Sequence, residues 1–181
     1  KSGGGAVLDI GVHVIDLTWY LMGRPRPVLV TGVTHRQIGS YETRSVKGWA
    51  ATGAKNGVFD NEEAATALIR FENGASMSVD ISWAINGREE KMFSKIYGTK
   101  GGASFRPLEL YGEENGFLTD TVPVLVPEDS WQPAFERETQ HFVDCVLAGK
   151  TPMPSVDDGL TVQRMLNAIY DSDRLCTSIA L

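Results

Sequence analysis

The sequence predicts an α+β domain organised around an antiparallel sheet. Three observations predict it: an apolar helix opening on glycines, a middle stretch of alternating strands between Gly-rich turns, and two amphipathic helices at the end. Strands gathered in one run and flanked by helices give α+β, whereas a parallel α/β sheet would place a helix between successive strands. The chain has no internal repeat and no low-complexity tract.

The first helix is expected from Val7 onward, behind Gly3, Gly4 and Gly5. At about 3.6 residues per turn, Asp9, His13 and Asp16 fall at i, i+4 and i+7, in one polar stripe. Val7, Leu8, Ile10, Val12, Val14, Ile15, Leu17 and Trp19 cover the other faces, the pattern of a buried helix. Ionisable groups on such a helix are costly unless paired, hydrogen-bonded or turned toward a site. The three glycines leave an uncrowded backbone where a ligand or another domain has room to approach. Gly11, in mid-helix, costs roughly 0.5–1 kcal/mol relative to Ala, which close packing of that stretch would offset. Gly23 suits a left-handed C-terminal residue, and Pro25 prevents continuation.

A first strand is expected over 28–35, followed by a long, Gly-rich, weakly patterned insertion at 39–60. Strands at 65–71 and 75–83 are joined across Glu72-Asn73-Gly74, whose Asn and Gly tolerate positive φ. In the second of them Met77, Val79, Ile81 and Trp83 alternate with Ser76, Ser78, Asp80 and Ser82, so one face is apolar and the other polar. Segments 91–97, 103–110 and 117–126 supply further strands. A helix over about 134–148, capped by Asp129 or Ser130, carries a stripe of Phe135, Phe142, Val143, Val146 and Leu147 and stops at Gly149. Ser155-Val156-Asp157-Asp158 resembles a capping box with Asp in the usual place of Glu, and Val162, Met165, Leu166 and Ile169 give the last helix its buried face.

Composition narrows the function classes. The 181 residues suit one domain with a real core. Lys plus Arg is 17 against 23 for Asp plus Glu, a net charge of −6, which gives nucleic acid or an anionic membrane no electrostatic support as a partner. No apolar run is long enough to span a bilayer. Cys145 and Cys176 lack a Cys-x-x-Cys partner and are expected as free thiols of a cytoplasmic protein.

Three readings compete for the Asp9–His13–Asp16 stripe. It is a structural polar network, a metal site lacking an evident fourth ligand, or a catalytic pair in which Asp9 orients or polarises and His13 moves a proton. Trp83 and Trp49 are candidates to line a sugar cleft, against core or interface packing for Trp83. His35 and His141 are expected to be ordinary surface or structural residues, and Lys47, Lys55 and Arg44 solvated charges.

The ordered motifs add a resemblance. Gly3-Gly4-Gly5 before Asp9-x-x-x-His13-x-x-Asp16, then Arg70 to Gly74, Tyr97 to Gly102, Phe135-x-x-Glu138-x-x-His141-Phe142-x-Asp144-Cys145 with Gly149-Lys150-x-Pro152, and Asp157-Asp158-Gly159-Leu160 running to Ala168-Ile169-Tyr170-x-Ser172 follow one another along the chain. Together they resemble the C-terminal domain of the glucose–fructose oxidoreductase / inositol dehydrogenase (Gfo/Idh/MocA) family. The resemblance implies an open, mainly antiparallel sheet with helices on one face, like the C-terminal domain of dihydrodipicolinate reductase. It also implies homo-oligomers formed through the exposed sheet face.

Members of that family carry an N-terminal Rossmann domain and a Glu-Lys-Pro motif, neither of which is in this sequence. Residues 1–181 are therefore expected to be the substrate-binding and oligomerisation half of a two-domain polypeptide. The resemblance implies a nicotinamide-dependent oxidoreductase acting on a sugar, cyclitol or polyol. His13 would be the general base, Asp9 its partner at the substrate, and Trp83 a further substrate contact. NAD or NADP would be held mainly by the other domain, with Gly3, Gly4 and Gly5 at most near it, and no metal is implied. An NAD-dependent glycosidase of the same fold and a non-catalytic dimerisation or ligand-binding module are the alternatives.

Overall fold

The computed structural model describes residues 3–37, 60–85, 91–124 and 131–181. The elements are, in order, a π-helical turn Val7–Gly11, α1 Val12–Leu21, β1 Pro27–His35, β2 Ala64–Phe71, β3 Ser76–Ser82, β4 Ser94–Gly98, β5 Gly101–Phe105, β6 Glu109–Glu114, β7 Phe117–Thr121, α2 Gln132–Ala148, α3 Val156–Leu175 and β8 Ile179–Ala180. The chain divides into two units, Lys1–Glu90 with Thr161–Leu181, and Lys91–Leu160. Arg44, Lys47, Trp49, Lys55, Asp129 and Ser130, and with them the insertion up to residue 59, lie outside the described residues.

In the first unit β3-β2-β1-β8 form a four-stranded antiparallel sheet. Its strands alternate as the sequence requires. Ala65, Ala67, Ile69, Phe71, Met77, Val79 and Ile81 are buried, while Thr66, Leu68, Arg70, Ser76, Ser78 and Asp80 are exposed. The buried set joins Ile15 and Trp19 of α1 with Val162, Met165, Leu166 and Ile169 of α3 in one core. Each such aliphatic contributes about 1.5–3 kcal/mol. That outweighs the roughly 1 kcal/mol that Gly159 costs within α3. The helices thus cover one face of this sheet and leave the other open, as expected.

Local signals act where the sequence placed them. Gly74 has φ +85 in the turn between β2 and β3, and the Asn73 side chain accepts from Ala75 N–H. Gly23 at φ +83 ends the first helix, with Arg24 N–H donating back to Trp19 C=O. Ser155 and Asp158 exchange hydrogen bonds as a capping box: Asp158 N–H donates to Ser155 Oγ, and Ser155 N–H donates to Asp158 Oδ2 at 2.7 Å. Buried Ser172 accepts from Gly32 N–H and donates to Thr177 C=O, tying α3 to β1 and to the turn before β8.

In the second unit β4-β5-β6-β7 form a separate four-stranded antiparallel sheet. The segment expected as one strand over 103–110 is two. Arg106 adopts φ +62 and Pro107 has no N–H to donate, so the ladder breaks and the chain reverses into β6. Asn115 and Gly116, both at positive φ, make the two-residue hairpin turn between β6 and β7. On α2 the apolar stripe is present but exposed at Phe135, Phe142, Val146 and Leu147, and Cys145 is the buried side chain. The periodicity located the stripe without saying what covers it.

The first helix departs most from expectation. It is not buried all round: Val7, Gly11, Ile15 and Trp19 face the core, whereas Asp9, His13, Tyr20 and Leu21 are exposed. It lies on the sheet rather than inside the domain, so its polar stripe faces away from the apolar core and the desolvation argument does not apply. Its first turn is also π-helical over Val7–Gly11.

Candidate active site

Asp9 sits within the π-helical turn and His13 on the first turn of α1. A π turn closes hydrogen bonds from i to i+5 and so rotates its residues relative to a regular helix; such turns recur at functional sites. The turn stays close to the sheet because Gly11 has no side chain. A Cβ there would stand 2.7 Å from Cδ1 of Ile81 on β3, so the close packing expected at this glycine is present.

The start of the turn is fastened by Glu62, just ahead of β2. Its carbonyl oxygen accepts from Ala6 N–H at 3.1 Å, and its Oε1 accepts from Val7 N–H at 3.0 Å. Tyr170 of α3 donates its hydroxyl to the same Oε1 at 2.7 Å. The first N–H groups of a helix have no intrahelical acceptor, and a carboxylate there is also favoured by the helix dipole. Burial, and then the Glu62 hydrogen bond and charge, push the Tyr170 phenol above its ordinary value.

The expectation for Gly3, Gly4 and Gly5 changes accordingly. A Cβ on Gly5 would fall 2.0 Å from the carbonyl oxygen of Glu62, and one on Gly4 2.3 Å from Cδ1 of Leu8. The close approach that these two allow is to the chain itself. Gly3, at φ +76, is the one of the three with open space around it.

Trp83, immediately after β3, comes to Asp9 from the strand that packs against the π turn. Its indole Nε1–H donates to Oδ2 of Asp9 at 2.8 Å, and its main-chain N–H donates to Glu63 C=O at 2.7 Å. Trp83 is 38% exposed, so it is neither a core residue nor a free surface one. The hydrogen-bond acceptor that the sequence suggested for orienting His13 is thus engaged, through Oδ2, by an indole. His13 is exposed one turn further along. Asp9, His13 and Trp83 belong to one unit of the fold. An exposed carboxylate and an exposed imidazole on successive turns can bind a hydroxyl and move its proton.

The remaining candidates have other places. Asp16 is half-buried and has a partner of its own. His35 ends β1 exposed, and its carbonyl accepts from Glu63 N–H. His141 Nε2 accepts from Met153 N–H at 3.0 Å and lies 3.7 Å from Cys145 Sγ, a structural use. Cys145 and Cys176 are free thiols. Among the described residues no group of three or more His, Cys, Asp or Glu is placed to hold a metal ion, and no helix is long and apolar enough to cross a membrane.

Sequence reasoning missed Glu62. The signal available was a pair of acids, Glu62-Glu63, set directly against an alternating apolar strand, where solvated charge is the ordinary reading.

Comparison with known proteins follows the same lines. The family model described as "Oxidoreductase family, C-terminal alpha/beta domain" matches residues 1–181. A D-glucoside 3-dehydrogenase of Escherichia coli (strain K12) is 25% identical over 99% of this chain and 50% of its own length. A levoglucosan dehydrogenase of Pseudarthrobacter phenanthrenivorans is 29% identical over 94% of this chain and 50% of its own length. Among solved structures, levoglucosan dehydrogenase in complex with NADH and levoglucosan superposes with a TM-score of 0.76 at 22% identity, over 99% of this chain and 51% of that one. The chain spans about half the length of the curated relatives it matches.

Proposed function

This chain belongs to the Gfo/Idh/MocA oxidoreductase family as its C-terminal alpha/beta domain, and on that premise we propose that its full-length protein is an NAD(P)-dependent dehydrogenase of sugars, cyclitols or related polyols. In this reading residues 1–181 form the substrate-binding and oligomerisation domain, and a nucleotide-binding domain completes the polypeptide. The observation that carries it is the exposed Asp9–His13 pair on a helix whose start is fixed by Glu62.

Oxidation of a secondary alcohol removes a hydride from carbon and a proton from oxygen. The nicotinamide supplies the hydride acceptor. The proton is the task of this chain: His13 accepts it from the substrate hydroxyl as the carbonyl forms, and Asp9 accepts a hydrogen bond from the substrate that keeps the hydroxyl facing the imidazole. Gly4 and Gly5 pack against Leu8 and Glu62, and the dinucleotide phosphates are assigned to the other domain. The bound NADH of the levoglucosan dehydrogenase neighbour supports the choice of cofactor. The sugar dehydrogenases among the relatives support the substrate class.

Two further assignments rest on the same reading. The open sheet face, where Val33 and Leu68 are 48% and 46% exposed, is the surface for self-association. The free thiols of Cys145 and Cys176 suit a reducing cytoplasm. The test of the catalytic assignment is His13→Ala in the full-length protein. It is expected to lower kcat by about 10²–10⁴-fold with an unchanged melting temperature. A folded variant of wild-type activity would remove His13 from the mechanism.

A further inference from the structure

An exposed aspartate is a poor catalytic partner unless something aims it. The carboxylate torsion is broad and roughly two-fold, with no sharp staggered well, and Asp9 is exposed. The Trp83 indole removes that freedom, since its Nε1–H meets Oδ2 at 2.8 Å. Indole nitrogen is a donor only, so it can engage this group solely through an acceptor oxygen. A Trp side chain has two torsions and is ordered at low entropic cost.

Both partners of that hydrogen bond are fixed by one dipeptide. Glu62 holds the start of the π turn carrying Asp9 through Ala6 N–H and Val7 N–H. Glu63, 1% exposed, holds the Trp83 main chain through its carbonyl at 2.7 Å. A displacement of the Glu62-Glu63 dipeptide would therefore move Asp9 and Trp83 together.

We propose that Trp83 is a positioning residue: its indole N–H holds Oδ2 of Asp9 so that Oδ1 is the oxygen that accepts from a substrate hydroxyl beside the one His13 deprotonates, with Glu62-Glu63 as the common anchor. This rests on the reading of Asp9 as a group that touches substrate. It assigns the hydrogen bond, rather than the ring, as the part of Trp83 that matters for turnover.

The test is a double-mutant cycle in the full-length enzyme, following NADH formation with D-glucose and levoglucosan as probe substrates. Trp83→Phe keeps an aromatic ring and loses the donor. It should lower kcat by about 10- to 100-fold with KM changed by less than about threefold. In an Asp9→Ala background the same substitution should add no further loss, because its route is already gone. Trp83→His, which retains a ring N–H, should recover part of the activity. Full kcat in Trp83→Phe, or losses that multiply with Asp9→Ala, would overturn the proposal.

A second readout needs no turnover. With the Trp indoles labelled with ¹⁵N, the Trp83 N–H resonance (assigned by its loss in Trp83→Phe) should move in Asp9→Ala. An unmoved resonance overturns the proposal as well. If instead the resonance moves while Asp9→Ala and His13→Ala both keep wild-type kcat, the hydrogen bond stands and the dehydrogenase site lies elsewhere; positioning for catalysis is then refuted together with that reading.

Discussion

Replacing Gly5 by Ala should be among the most destabilising single-methyl changes in this protein, and the geometry gives the size. The added Cβ would stand 2.0 Å from the Glu62 carbonyl oxygen and 2.5 Å from both Cδ and Oε2 of the same residue. The carbonyl is backbone, so relief requires Glu62 to retreat from the helix start. Three hydrogen bonds depend on its position: Ala6 N–H to its carbonyl, and Val7 N–H and the Tyr170 hydroxyl to its carboxylate. One neutral bond at about 0.5–1.5 kcal/mol and two to a charged acceptor at about 1.5–3 each set a ceiling of about 7.5 kcal/mol. Partial re-formation and the smaller unfolded-state entropy of Ala bring the expected loss to about 3 kcal/mol. In urea, at a slope of about 2 kcal/mol per molar, the unfolding midpoint read by Trp fluorescence should fall by about 1.5 M. Gly11→Ala is the control. There the close atom is Cδ1 of Ile81, the tip of a side chain, and the gain in helix propensity of about 1 kcal/mol offsets most of the repacking. A Gly5→Ala midpoint equal to that of Gly11→Ala or of the wild type would refute the packing of Glu62 against the helix start.

Other outcomes follow from named contacts. The Tyr170 phenol, raised in the folded protein above its ordinary 10.0, loses its proton first in the unfolded chain as pH rises. Its contribution to stability is present below pH 10 and is lost as pH climbs toward the folded value. The Tm advantage of wild type over Tyr170→Phe should therefore narrow above pH 10, and a constant gap would contradict the assignment. Ser155→Ala removes the hydroxyl that caps α3 through Asp158 N–H and should cost about 1 kcal/mol in chemical denaturation. Gly149→Ala places a Cβ at φ +62 in open space; its cost of about 1–2 kcal/mol would be backbone strain alone, and a neutral result would argue against the left-handed cap of α2.

What was legible in the sequence was local. Alternation in Ser76–Ser82, the Asn73-Gly74 turn and the Ser155–Asp158 box each act between near neighbours in the chain, and each folds as read. The Asp9–His13 spacing was visible too, but not the direction in which it faces. The spacing implies a regular helix, whereas the π turn at Val7–Gly11 carries no residue signature. The Glu62 anchor was out of reach because it acts on Val7 from 55 residues away. The sequence marks Trp83 as an aromatic surface, whereas its N–H is what touches Asp9. For α2, periodicity found the apolar stripe, but burial depends on what lies opposite, and Phe142 and Leu147 stay exposed.

The Glu62 anchor also bears on when the Asp9 helix can form during synthesis. Val7 leaves the ribosome well before its acceptor, which is 55 residues behind it, and the Tyr170 that braces the acceptor is 108 residues later still. Closing loops of that length costs chain entropy before any contact repays it, and such long-range pairings slow folding. Until those residues have been made, the segment around Val7 is a short apolar helix with unpaired leading amides, marginal in isolation. Asp9 thus acquires its fixed orientation only once α3 has been made, so a product lacking that helix would carry Asp9 and His13 without the support that aims Asp9.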